Sequence, residues 1–110
     1  MILLRHTRVA LPAGICYGAS DVALAEDHAA DFARIAAGLP GGWQRIVSSP
    51  LQRCRLLAEH LAAGRPLGLE PDLAEVDFGA WELRAWDELT PEEYRAWGAD
   101  WLRCAPPGGE

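Results

Sequence analysis

The sequence predicts a doubly wound α/β fold, in which helices cover a mostly parallel sheet. Three observations predict it. Two short apolar runs, Ile2-Leu3-Leu4 and Arg45-Ile46-Val47-Ser48, stop abruptly at polar or helix-opening residues, as strands buried on both faces do. Between them, Ala29, Phe32, Ile35 and Leu39 recur at helical spacing. Directly after the second run, Ser49-Pro50 opens another helical stretch, so strand and helix alternate in the order that right-handed crossovers turn into a parallel sheet.

Taken in order, Ile2-Leu3-Leu4 is the expected first and central strand. Residues 11–20 hold Pro12, Gly14 and Gly18 and read as a loop. A helix is expected from Ala25 to Leu39, stopped by Pro40-Gly41-Gly42. After the second strand, Ser49 is expected as an N-cap with Pro50 at the first helical position, the helix running to about Ala63 before Gly64. Leu67-Gly68-Leu69 is a third strand candidate, and Asp72 to Gly79 reads as irregular. Thr90-Pro91-Glu92-Glu93 has the spacing of a capping box and predicts a helix to about Leu102.

With 110 residues, half of them hydrophobic, the chain suits one globular domain. Ten basic residues against sixteen acidic ones give a net charge of −6. That balance argues against nonspecific nucleic-acid binding, which needs a basic surface. No apolar run is long enough to span a bilayer, and the first residues lack the basic flank and length of a signal peptide. A cytoplasmic location is the expectation. Cys16, Cys54 and Cys104 are odd in number and show no CxxC spacing, so they are expected to be free thiols and suggest neither disulfides nor a zinc site.

On an acidic protein, a site for an anion must gather positive charge locally. In an open parallel sheet the ligand edge lies beyond the carboxyl ends of the strands, and two segments deliver cations there. The first run ends in Arg5-His6, the second leads into Ser48-Ser49-Pro50-Leu51-Gln52-Arg53. Arg53 is expected on the first turn of its helix, near the positive dipole end. Guanidinium suits the task because its planar fork grips phosphate oxygens in pairs. Singly, a histidine after a strand or an arginine early in a helix is ordinary; two strand ends that each bring an arginine are not.

Three segments then resemble successive motifs of the histidine phosphatase (phosphoglycerate mutase-like) superfamily, in its order and near its spacing. They are Leu4-Arg5-His6-Thr7, Ser48-Ser49-Pro50-Leu51-Gln52-Arg53, and Leu73-Ala74-Glu75-Val76-Asp77-Phe78-Gly79-Ala80-Trp81-Glu82. Within that superfamily the chain most resembles the α-ribazole phosphatases of cobalamin biosynthesis. That likeness is carried by Arg5-His6-Thr7 before Gly14-Ile15-Cys16-Tyr17-Gly18, by Leu83 after Trp81-Glu82, and by Tyr94, Trp97, Asp100 and Trp101 ahead of a Pro-Gly-Gly turn.

The resemblance implies a three-layer α/β/α domain with a mostly parallel central sheet. It implies a phosphomonoester hydrolase acting on a small-molecule substrate, with neither metal nor cofactor, and with no nucleic-acid or membrane partner. His6 would take the phosphoryl group, with its second ring nitrogen held by a fixed acceptor. Arg5 and Arg53 would stabilise charge on the transferring oxygens. Glu75 would serve as general acid and then base, while Thr7, Gly18, Arg5, Arg53 and Glu75 would contact the substrate. Glu82 is the rival carboxylate and reads as structural.

Some features depart from the family pattern. Thr7 stands where a glycine is usual, and the position of a phosphate-binding asparagine falls near Pro12. The family also uses a second histidine after a later strand. His28 and His60 fall inside predicted helices and read as surface or packing residues, so the sequence is expected to be the N-terminal portion, residues 1–110, of one such domain, incomplete at its C-terminus. The alternatives are a broad sugar-phosphate phosphatase or mutase, and a non-catalytic fragment. Trp81, Trp86, Trp97 and Trp101 invite a role in stacking on an aromatic substrate, yet Tyr94, Trp97 and Trp101 lie at i, i+3 and i+7, the spacing of one packed helix face.

Overall fold

The helical periodicity of the first half produces α1 (His28–Gly38) and α2 (Gln52–Ala62), and the apolar runs produce β1 (Ile46–Ser48) and β2 (Leu67–Leu69). The computed structural model describes residues 1–110. It comprises two units: Met1–Ala10 with Asp21–Ala74, and Leu11–Ser20 with Glu75–Glu110.

In the first unit, β1 and β2 pair in parallel, Ile46 opposite Leu67 and Ser48 opposite Leu69, with α2 as the connection that a parallel pair requires. Helix α2 packs on both strands and on α1. The core follows from the periodicity. Phe32 of α1 and Leu57 and Leu61 of α2 are buried with Leu24, and Ile35, Leu39, Ile46 and Leu56 pack against them. Each such side chain contributes about 1.5–3 kcal/mol on burial. Helix α2 ends as expected: Ala63 (φ 47°) and Gly64 (φ 85°) turn into the left-handed region, where glycine carries no steric penalty.

Two expectations for this unit are corrected. Ile2-Leu3-Leu4 forms no strand; the sheet has two strands, β1 and β2, and Ile2, Leu3 and Leu4 are exposed at 47%, 83% and 49%. An all-apolar run becomes a central strand only when ladders on its sides satisfy its backbone, and here β1 pairs with β2 alone. Nor does Ser49 cap α2. The N-cap is Leu51, whose side chain has no hydrogen-bonding group to offer. The work of capping is split: Ser49 Oγ accepts from the Leu51 amide at 3.3 Å and Asp21 Oδ1 from the Gln52 amide at 2.7 Å. The helix therefore starts two residues beyond Pro50.

The second unit is mostly turns. Ile15 forms an antiparallel bridge with Ala85, short 3₁₀ turns lie at Gly79–Trp81 and Trp86–Glu88, and α3 spans Pro91–Ala99. The capping box is formed in both directions: Thr90 Oγ1 accepts from the Glu93 amide and Glu93 returns to the Thr90 amide at 2.9 Å. Trp81 is fully buried. It stacks with Tyr94 at 6.4 Å between ring centroids and meets Trp97 edge-on at 5.9 Å. Helix α3 stops at Ala99, short of Leu102, so Trp101 leaves the packed face and is 66% exposed. The packing reading of the tryptophans therefore holds for Trp81 and Trp97 and fails for Trp101.

Candidate active site

In the first unit, the end of β1 delivers Ser48 and Ser49, both buried, to the start of α2. Arg53 follows on the first turn of α2 and is only 2% exposed. A guanidinium keeps its proton in any protein, so this is a permanent positive charge removed from bulk water, where its field on an anion is screened less. The helix start carries a feature that local sequence spacing does not reveal. Asp21, 31 residues away, takes the Gln52 amide on its carboxylate, and the Gln52 side-chain amide donates to the Asp21 carbonyl at 3.0 Å. Part of the helix's positive end is thus already met by a carboxylate.

His6 is half-buried, and its Nδ1 lies 2.7 Å from the Thr7 carbonyl oxygen. A carbonyl only accepts, so Nδ1 carries the hydrogen of this bond. The acceptor expected for one ring nitrogen of His6 is thus the next residue's backbone carbonyl. Beside it, the Thr7 hydroxyl is buried with no hydrogen-bond partner, an arrangement that costs about 1–3 kcal/mol until an acceptor or donor meets it. His6 shares a groove of about 830 Å³ with Ser48, Ser49 and Cys54. The rest of that groove is chiefly apolar, lined by residues such as Ile46, Leu57 and Leu61. Arg5 is exposed and, like Thr7 and Arg53, is not among the groove's lining residues.

His28 and His60 are engaged in packing. Both rings lie against Phe32, at centroid distances of 5.1 and 5.4 Å, and His28 Nδ1 is 2.7 Å from the Ala25 carbonyl.

Glu75 and Gly18 belong to the second unit. Glu75 is exposed, its carboxylate accepting from the Val76 amide at 3.3 Å. Gly18 is buried, and its amide donates to Glu82 at 3.0 and 3.1 Å. A Cβ at Gly18 would lie 1.9 Å from the Val76 carbonyl oxygen, so glycine is required there by close backbone approach. Glu82 is the structural carboxylate of this unit. It also accepts from the amides of Ala19, Ser20 and Phe78 at 3.1, 3.2 and 2.9 Å, and from the Ser20 hydroxyl. Burial works to raise its pKa, but the Ser20 hydroxyl and the Phe78, Gly18 and Ser20 amides prevail and hold it below the ordinary glutamate value. Nearby Cys16, fully buried, is pushed up to about 11, first by burial and then by the Glu82 charge. It is an inert thiol at neutral pH.

The whole chain, residues 1–110, matches the histidine phosphatase superfamily (branch 1), and the chain belongs to that superfamily. Its relatives narrow the comparison. It is 38% identical over 73 residues to the adenosylcobalamin/α-ribazole phosphatase of Salmonella typhimurium, a match covering 62% of this chain and 36% of that protein. It is 44% identical over 77 residues to a bifunctional protein of Mycobacterium tuberculosis, covering 64% of this chain and 20% of the other. Among solved structures, the α-ribazole phosphatase of Shigella flexneri superposes with a TM-score of 0.77 at 26% identity, over 88% of this chain and 51% of that one. A phosphoglycerate mutase of Thermus thermophilus superposes with a TM-score of 0.70 at 34% identity, over 88% and 54%. The chain thus spans about half the length of these solved structures and about a third of the Salmonella relative. The fold is phosphoglycerate mutase-like, with α/β character.

Proposed function

We propose that the chain is the N-terminal portion of a phosphomonoester hydrolase domain that works through a phosphohistidine, with α-ribazole 5′-phosphate as substrate. One observation carries the mechanism: the Thr7 carbonyl holds His6 Nδ1–H, which leaves Nε2 as the ring's nucleophilic lone pair. Nε2 attacks phosphorus, the bond to the ester oxygen breaks, and the leaving alkoxide takes a proton from Glu75. Glu75 then removes a proton from water, whose oxygen attacks the phosphohistidine and releases phosphate and free His6. Arg53 and Arg5 balance charge on the transferring oxygens, and the Thr7 hydroxyl donates to one of them.

The substrate assignment is supported by the Salmonella relative and the Shigella structure, whose names specify α-ribazole. The resemblance to a phosphoglycerate mutase favours a second reading, in which the phosphoryl group returns to a bound acceptor. No helix is long and apolar enough to cross a membrane, and three free cysteines suit a reducing, cytoplasmic compartment.

The test is to restore the chain to a full-length domain, incubate it with a phosphate-labelled monoester and quench it in base. We expect an alkali-stable, acid-labile label on His6, absent from His6→Ala, with release to water as inorganic phosphate. A label on another residue removes His6 from the nucleophile role, and recovery of the label chiefly on an added sugar phosphate favours the mutase.

A further inference from the structure

Glu82 lies seven residues after Glu75 in a unit with little regular secondary structure, and residues 75–78 belong to no helix or strand. An irregular segment lacks the ladder that would fix its backbone, so something else must fix it. Two contacts do so. The Gly18 Cα approaches the Val76 carbonyl so closely that a Cβ there would be 1.9 Å from its oxygen, and Glu82 Oε1 accepts from the Phe78 amide at 2.9 Å. The same oxygen accepts from Gly18 and Ala19, and Oε2 accepts from Gly18 and Ser20. One carboxylate therefore ties residues 18–20 to residue 78; Asp77 lies between that tied point and the seam at Val76, and Glu75 directly precedes the seam.

We propose that Glu82 is a positioning residue for Glu75: by joining the amides of residues 18–20 to that of Phe78, it holds the segment that carries Glu75 in the conformation from which Glu75 delivers its proton. The inference rests on the phosphatase reading above. Charge and shape are both required. In Glu82→Gln one oxygen becomes an NH₂ that faces N–H donors, so at least one side of the tie is replaced by a donor–donor clash. Gly18→Ala opens the same seam from the other side with the carboxylate intact. Near-attack geometry is sensitive enough that a misplacement of about 1 Å costs about 10²-fold.

The test compares two substrates of the chain restored to a full-length domain and its Glu82→Gln variant, and follows Gly18→Ala by hydrogen exchange alone. An alkyl phosphate needs its leaving alkoxide protonated, whereas p-nitrophenolate departs without a proton. In Glu82→Gln kcat for the alkyl phosphate is expected to fall by about 10²-fold, while p-nitrophenyl phosphate keeps most of its rate and KM for both is little changed. Hydrogen exchange should show faster exchange at Gly18, Ala19, Ser20 and Phe78, with α2 still protected. Equal losses for the two substrates, or exchange at those amides unchanged, overturn the inference while leaving the phosphatase reading intact. A wild-type full-length domain that hydrolyses neither substrate overturns both.

Discussion

In the second unit, a half-buried carboxylate is met by amide after amide and the fully buried Trp81 is enclosed by Tyr94 and Trp97. In the first unit, a buried guanidinium sits at a helix start while Leu3, Val47, Leu69 and Leu73 stay exposed at 83%, 41%, 49% and 54%. The contrast separates two uses of charge. Glu82 is matched by fixed backbone donors, so its charge organises the fold. Arg53 is a charge buried on the first turn of a helix, and under the proposed function its charge serves the ligand. The apolar surfaces differ in the same sense: the aromatic rings of the second unit close on one another, and the mostly aliphatic side chains of the first leave a groove open beside His6.

The largest effect should come from emptying the closed cluster. Trp81→Ala removes a fully buried ring and should cost about 3–5 kcal/mol, read as a lowered denaturation midpoint and loss of near-ultraviolet circular dichroism. A cost under about 1 kcal/mol, the scale of a surface change, would mean that the second unit is as open as the first.

Arg53→Lys exchanges the fork for a point charge. Turnover should fall by about 10²-fold or more, comparable to losing one oxyanion donor, with the denaturation midpoint changed much less. If stability falls and turnover does not, Arg53 belongs with Glu82 as an organiser of the fold.

Thr90→Ala removes half of the capping box on α3 and should cost about 1 kcal/mol. Amide exchange in Pro91–Ala99 reports it directly; unchanged exchange there would show that packing against Trp81 holds α3 without its cap.

Acid offers the mildest probe. Hydrogen bonding from Arg84, helped by the Thr90 amide, depresses Glu93 from the ordinary 4.5 to about 2, and Glu82 is lowered as well. A carboxylate whose folded pKa lies below its unfolded value adds stability that is complete above the unfolded pKa and is lost as pH falls through the folded one. The second unit should therefore loosen between about pH 4.5 and about 2, followed by the fluorescence of its tryptophans. In Glu93→Gln that transition should become shallower. A wild-type unit indifferent to pH over that window would show that neither carboxylate contributes to its stability.

Much of this chain was determined by sequence alone. The α1 and α2 helices, the β1 and β2 strands and the Thr90 cap all follow from residues near one another, because periodicity, glycine stops and capping spacing are local. The place of Arg53 on the first turn of α2 was legible in the same way, and Glu82 was legible as structural. Tertiary structure alone decided the rest. Asp21 caps α2 from 31 residues away, and Glu82 gathers amides from 64 residues away, since an unpaired amide is satisfied by whichever acceptor the fold brings near. The apolar run Ile2-Leu3-Leu4 forms no strand and Trp101 leaves its packed face, because apolar character states a preference for burial, and only neighbouring chain can supply the ladder or the surface that satisfies it.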